Sequence, residues 1–70
     1  MAATRNAARV AELRRLREQD PGDEYAAAIG MITAVVRPDT HPGRTVQQVR
    51  DILDALDEVT GYRNWLEEGR

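Results

Sequence analysis

Proline and glycine cluster at two points of this 70-residue chain, and a further glycine stands near its end. The clusters cover residues 20–23 and 37–43, and the later glycine is Gly61. Proline lacks the backbone N–H that a helix interior needs, and glycine commonly ends a helix in a left-handed conformation. Apolar and polar residues do not alternate over more than a few positions, so strands are not expected. These breakers divide the chain into three helical segments and a tail.

The first segment, from about Ala3 to Gln19, has a narrow apolar stripe at helical spacing. The stripe is formed by Val10, Leu13 and Leu16. Another side carries only small residues: Ala7, Ala8 and Ala11. Such a face allows a second helix to approach, but alanine is also the best helix former and needs no other reason to be there. The stripe indicates a helix that packs on one side.

The second segment, Asp23 to Arg37, has no charged residue after Glu24 until Arg37. Its apolar residues cover well over half of a helical wheel: Tyr25, Ala28, Ile29, Met31, Ile32, Val35 and Val36. A helix of this kind lies at the centre of a bundle or at a subunit interface. In the second case three residues are expected to face a symmetric partner: Ala27, Met31 and Ala34. Asp20 or Asp23 is expected to cap the helix start, and Gly30 indicates a close helix crossing.

The third segment opens with Thr45 and Gln48 in the T-x-x-Q spacing of a capping box. In that motif the hydroxyl and the amide satisfy backbone N–H groups at a helix start. Apolar residues then recur every three or four positions: Val46, Val49, Ile52, Leu53, Leu56 and Val59. Gly61 stands where this helix should end. The pattern predicts a helix from Thr45 to the residue before Gly61.

The expected fold is therefore all-α: a small three-helix bundle with a short C-terminal helical extension, forming one domain over residues 1–70. The extension, residues 62–68, is too short to be stable alone, so Trp65 and Leu66 must dock to order it. The predicted core centres on six residues: Leu13, Ile29, Ile32, Val49, Leu53 and Leu56. Tyr25 is expected to join this core.

Several classes of site are excluded by composition. The chain has no cysteine and one histidine, which rules out disulfides, thiolate chemistry and multi-histidine zinc sites. We therefore expect no metal, no cofactor and no enzymatic activity, since a small bundle also has little volume for a catalytic pocket. The acids of the third segment fit a solvated helix face, with Arg50 placed to pair with Asp54. The connector around His41 has the parts of an anion site, but Asp39 and the lack of a glycine-rich phosphate loop favour a plain linker.

Arginine is concentrated in the first segment, which holds half of the ten arginines: Arg5, Arg9, Arg14, Arg15 and Arg17. With Glu12 and Glu18 its charge is five minus two, or +3, so the remainder of the −2 chain carries −5. The alternative function is therefore a small nucleic-acid-binding regulator that uses this helix. However, the arginines lie on different flanks, with Arg14 placed to pair with Glu18. A helix-turn-helix is also disfavoured, because the second link is too long and the would-be recognition helix is acidic.

The pattern favours a non-enzymatic protein–protein interaction module: a regulator, inhibitor or adaptor, encoded by a phage or mobile element as readily as by a chromosome. Its expected partner is another protein or a second copy, as a homodimer; nucleic acid and membranes are not expected. The candidate partner-binding residues are Trp65, Tyr62, Met31, Arg5, Arg9, Arg14 and Arg15. Trp65 is interpreted first as a lid on the core and second as a docking anchor. A cytoplasmic location is expected, because no segment resembles a signal peptide or a membrane span.

Overall fold

The computed structural model describes residues 2–37, 39 and 41–68. Four helices are present in this part of the chain: α1 (Ala2–Gln19), α2 (Asp23–Val35), α3 (Pro42–Thr60) and α4 (Tyr62–Glu68). The same residues contain no strand, so the predicted all-α bundle with a C-terminal helical extension is confirmed. α3 contacts each of the other three helices, whereas α1 and α2 contact each other and α3. None of the described helices combines the length and apolar character needed to cross a bilayer.

The central helix of the bundle is α3 and not α2. Within α2 only Glu24 and Ala28 are buried, whereas α3 buries Ile52, Ala55 and Leu56. The physical reason is the distribution of apolar side chains around each helix. In α3 they form one arc opposite the acidic residues, but in α2 they surround most of the girth. Because only one arc of α2 can meet α1 and α3, the rest of its apolar surface remains outside.

The core is small and contains two alanines. Its buried apolar residues are Val10, Leu13, Ala28, Ile52, Ala55 and Leu56. The predicted burial of Leu13 and Leu56 is confirmed. Ala28 and Ala55 are buried at the inner sides of α2 and α3, where small side chains allow helices to pack closely. A search of the sequence for large apolar residues therefore misses a third of this core.

Two residues predicted to be inside are exposed. Ile29 has 64% of its surface exposed, and Tyr25 is also exposed. Each successive residue of a helix is rotated by about 100°, so Ile29 turns outward when Ala28 points into the core. Ile32 is partly buried against the core. The remaining predicted core residues, Val49 and Leu53, are half-buried on the flank of α3.

The corner between α1 and α2 is closed by a buried carboxylate. Glu24 is 1% exposed and accepts a hydrogen bond from the Gly22 backbone N–H at 2.6 Å. Its other oxygen lies 3.3 Å from Nε of Arg17. A second guanidinium nitrogen of Arg17, Nη1, donates to the backbone carbonyl of Val59. One arginine therefore joins the end of α1, the start of α2 and the end of α3.

The start of α2 differs from the predicted cap, whereas the end of α3 matches its prediction. Gly22, with φ 109°, occupies the N-cap position without a side-chain cap hydrogen bond, so neither Asp20 nor Asp23 caps this helix. The side chain of Glu24 instead accepts a hydrogen bond from the N–H of Gly22, the N-cap residue itself. Gly61 ends α3 as predicted, with φ 69° and its N–H bonded to the carbonyl of Asp57. Both glycines occupy the left-handed region that other residues rarely adopt.

The predicted capping box of α3 is wrong, because the helix begins earlier, at Pro42. His41 is the N-cap, and its Nδ1 accepts a hydrogen bond from the Gly43 N–H at 3.1 Å. Proline suits the first helical position because no N–H is needed there. Thr45 consequently lies inside the first turns, where its hydroxyl donates to the His41 carbonyl at 3.3 Å. The connector is thus shorter than expected; its Pro38 and Thr40 lie outside the described residues.

Replacing Glu24 with alanine is expected to lower the free energy of unfolding by about 2 kcal/mol. The reason is that hydrogen bonds to charged groups contribute roughly 1.5–3 kcal/mol, and Gly22 and Arg17 would lose their shared acceptor. Glu18→Ala, at an exposed position of α1, is the matched control and should change stability by less than about 0.5 kcal/mol. Urea denaturation measures both variants. Equal effects would show that the carboxylate does not hold this corner.

Two isoleucines, Ile52 in the core and Ile29 on the surface, provide a second test. Ile52→Ala is expected to destabilise the protein by roughly 2–5 kcal/mol, since Ile52 is fully buried and truncation leaves a cavity. Ile29→Ala should be close to neutral because the side chain is already solvated. Thermal denaturation followed by circular dichroism distinguishes them. A larger loss for Ile29→Ala would mean that α2 is rotated relative to this structure.

Candidate protein-binding site

α4 is attached to α3 through its first two residues. Tyr62 packs against the core, partly buried. The backbone N–H of Arg63 donates to Oδ1 of Asp57 at 3.0 Å, and its Nη1 donates to Oδ1 of Asp54 at 2.8 Å. The hydrogen bond to Asp54 raises the pKa of the Arg63 guanidinium above its ordinary value. The guanidinium also lies 5.5 Å from the ring centre of Tyr62, so both residues hold the start of this short helix.

The link from α3 to α4 is one residue long, which limits where α4 can point. The hydroxyl of Thr60 donates to the Leu56 carbonyl at 2.8 Å and accepts from the Tyr62 N–H at 3.2 Å. The carbonyl of Gly61 accepts from the Trp65 N–H at 3.2 Å. Backbone groups on both sides of the turn are thus bonded. The direction of α4 is set by this turn together with the Arg63 contacts.

Trp65 projects into solvent from the second half of α4. It is 68% exposed, and the neighbouring Leu66 is exposed as well. No residue of α4 is buried, and this helix contacts α3 alone among the helices of the described chain. The interpretation of Trp65 as a lid on the core is therefore wrong. Val59 and Tyr62 pack against the core, and in the described part of the chain Trp65 is not among the residues that do so.

The described residues of α4 that follow Trp65 include two acids. Glu67 and Glu68 follow it on α4 and are both exposed. The charge of Arg63 is turned toward Asp54 and Asp57 on α3. Asp54 pairs with Arg63 and not with Arg50 as predicted, because the Arg63 guanidinium can approach two carboxylates at once. The exposed indole is therefore followed on the same helix by two exposed carboxylates.

Two of the arginines of α1 form ion pairs within the described chain. Arg15 makes a two-pronged contact with Glu12, with Nη2–Oε1 at 2.6 Å and Nε–Oε2 at 3.0 Å. This hydrogen bonding lowers the pKa of the Glu12 carboxyl. Arg17 forms an ion pair with Glu24. The predicted pairing of Arg14 with Glu18 is not among the ion pairs of the described residues.

Arg9 and Arg14, the other arginines of α1 whose side chains are described, form no continuous basic surface. Arg9 donates to Oδ1 of Asn6 at 3.5 Å. Arg14 lines a depression of about 510 Å³ between α1 and α3. The full lining is Asn6, Ala7, Val10, Ala11, Arg14 and Glu58. Glu58 places a carboxylate in the same depression, which disfavours a phosphate there. Arg5 belongs to α1, but its side chain lies outside the described residues.

The remaining candidates are placed as follows. Met31 and Ala27 pack against the chain's own core, partly buried, so they do not face outward. Of the three residues expected to face a symmetric partner, only Ala34 is exposed. A second depression, of about 530 Å³, is lined by Arg44, Gln47, Gln48 and Asp51. In the part of the chain that is described, no group of three His, Asp or Glu residues is arranged to hold a metal ion.

Trp65→Ala is expected to change the free energy of unfolding by less than about 0.5 kcal/mol, as for a solvated residue without core contacts. Tyr62→Ala, in the same helix, should cost about 1–3 kcal/mol because the ring packs on the core. Chemical denaturation followed by circular dichroism compares both variants with the original chain. A loss for Trp65→Ala as large as that for Tyr62→Ala would place the indole back over the core.

Comparison with known proteins adds no constraint to this site. The chain matches no protein-family model, no curated protein and no solved structure. Its function must therefore be argued from the geometry of its own residues.

Proposed function

We propose that the protein is a non-enzymatic interaction module, a small regulator, inhibitor or adaptor that binds another protein through Trp65. The supporting observation is the 68% exposure of the chain's one tryptophan. A small domain has few large apolar side chains and normally uses them in its core. Tryptophan is also enriched among the residues that dominate binding energy at protein interfaces. An indole left outside the core is therefore best explained by a partner that buries it.

The attachment of α4 supports the same role. Arg63 and Tyr62 hold the start of the helix, and Gly61 links it to α3 without a flexible spacer. A partner would meet Trp65 already presented on a helix. Binding then requires less ordering of the chain, and less of the interaction energy is lost to conformational entropy. An anchor on a free tail would lack this advantage.

The chemistry of the partner follows from the surroundings of the indole. Trp65 and Leu66 require an apolar pocket, and water is excluded from such a pocket by a surrounding rim of contacts. Glu67 and Glu68 would lie at that rim. Since like charges across an interface are unfavourable, the rim of the partner should be basic. The proposed partner is a protein with an apolar pocket bordered by arginine or lysine.

Capture from an extract of the native host tests this function. The original chain, Trp65→Ala and Val46→Ala are immobilised in parallel, and retained proteins are quantified. Val46 is the matched control, because it is an exposed apolar residue of α3. We expect a protein retained by the original chain and by Val46→Ala but lost with Trp65→Ala. Once purified, that protein should bind Trp65→Ala about thirtyfold more weakly, as for a loss of about 2 kcal/mol.

Two outcomes would contradict the proposal. One is retention of every captured protein by Trp65→Ala at the level of the original chain. The other is retained material that disappears on nuclease treatment and on substitution of Arg14, which would favour nucleic-acid binding through α1.

A further inference from the structure

The exposed side of α2 carries no charge along its length. It is formed by Tyr25, Ala26, Ile29, Gly30, Thr33 and Ala34. Charges occur only at its ends, where Asp23 begins the helix and Arg37 follows it. A solvated helix face normally carries charged or polar residues. This face is therefore suited to burial, yet α1 and α3 already pack against the opposite side of the helix, at Ala28.

Small residues recur along the middle of this face at every fourth position: Ala26, Gly30 and Ala34. Gly30 has no atom within 4 Å of the place where a Cβ would stand, so the chain's own fold does not require glycine there. Glycine is otherwise unfavourable inside a helix. Thr33 donates its hydroxyl to the Ile29 carbonyl at 2.8 Å, so its donor stays satisfied if the face is covered. These features fit close approach by another helix.

We propose that this face binds the same face of a second copy of the chain, with the two α2 helices antiparallel and crossing at Gly30. Charge complementarity supports this occupant. Asp23 is the first residue of α2, and Arg37 lies two residues beyond Val35, its last residue. An antiparallel crossing at Gly30, near the middle of the helix, therefore brings the Asp23 end of each α2 to the Arg37 end of the other. A parallel pairing would instead place like charges together.

The position of Arg37 in the free chain agrees with this pairing. Its Nε donates to the carbonyl of Ala34 at 3.2 Å, which holds the guanidinium over the C-terminal end of α2. In the antiparallel dimer Ala34 lies opposite Ala26 of the second copy, one turn from Asp23. The opposed helix dipoles are also favourable in this arrangement. The interface is distinct from the Trp65 surface and does not depend on it.

Sedimentation equilibrium of the full chain tests the dimer. We expect a monomer–dimer equilibrium for the original sequence. Gly30→Glu places two carboxylates together on the two-fold axis and should raise the dissociation constant at least about tenfold. The control Ala8→Glu adds the same charge to an exposed position of α1 and should leave the constant unchanged. A monomer at every concentration, or equal effects of the two variants, would overturn the proposal.

Two further comparisons separate a lost interface from a lost fold. Gly30→Ala should raise the melting temperature of the dilute monomer by about 4–8 °C while weakening dimerisation, because alanine favours the helix but obstructs the crossing. Asp23→Arg and Arg37→Asp should each weaken the dimer, and the double variant should restore it. Arg50→Asp, an exposed reversal on α3, is the control. Stronger dimerisation with Gly30→Ala, or no recovery in the double variant, would exclude this interface.

Discussion

The guanidinium of Arg17 makes polar contacts with both of the other bundle helices, so that one side chain of α1 links α2 and α3. It reaches the carboxylate of Glu24 at the start of α2 and the carbonyl of Val59 near the end of α3. Glu24 is the one charged side chain that is fully buried in the described part of the chain, and its burial is tolerated because both of its oxygens have partners. The same contact holds the end of α3, from which α4 leaves through Gly61, and the direction of α4 is then set by the turn at Gly61 and by Arg63.

Small side chains lie in the core of this fold while two large apolar side chains lie on its surface. Ala28 and Ala55 are buried, whereas Ile29 and Trp65 are exposed. If Ile29 and Trp65 were buried in place of the two alanines, the core would be larger. The core of a chain of this length supplies little stability. The two exposed residues lie on separate surfaces with different electrostatics, one uncharged and one acidic. We infer two kinds of contact: a second copy of the chain at α2 and a basic-rimmed partner at α4.

Parts of this structure follow directly from sequence pattern. The breakers predict three helical segments and a C-terminal extension, and the periodic stripes of α1 and α3 correctly place Leu13 and Leu56 inside. The prediction fails in α2 because apolar residues surround that helix, so its sequence does not reveal which side faces inward; Ile29 was misplaced for this reason. The Arg17 contact is not predicted, and exposure of Trp65 is only the second interpretation, because both depend on where α3 ends in space. No local sequence motif indicates where the end of α3 lies relative to α1 and α2.

Trp65 is exposed to solvent on α4 and is not part of the core. Since the chain has one tryptophan, its fluorescence reports on this residue alone. The most direct measurement is the emission spectrum of the dilute, folded protein together with its quenching by acrylamide. We expect emission typical of a solvated indole and efficient quenching, while circular dichroism shows a fully folded helical protein. A blue-shifted emission that resists quenching under the same conditions would contradict it.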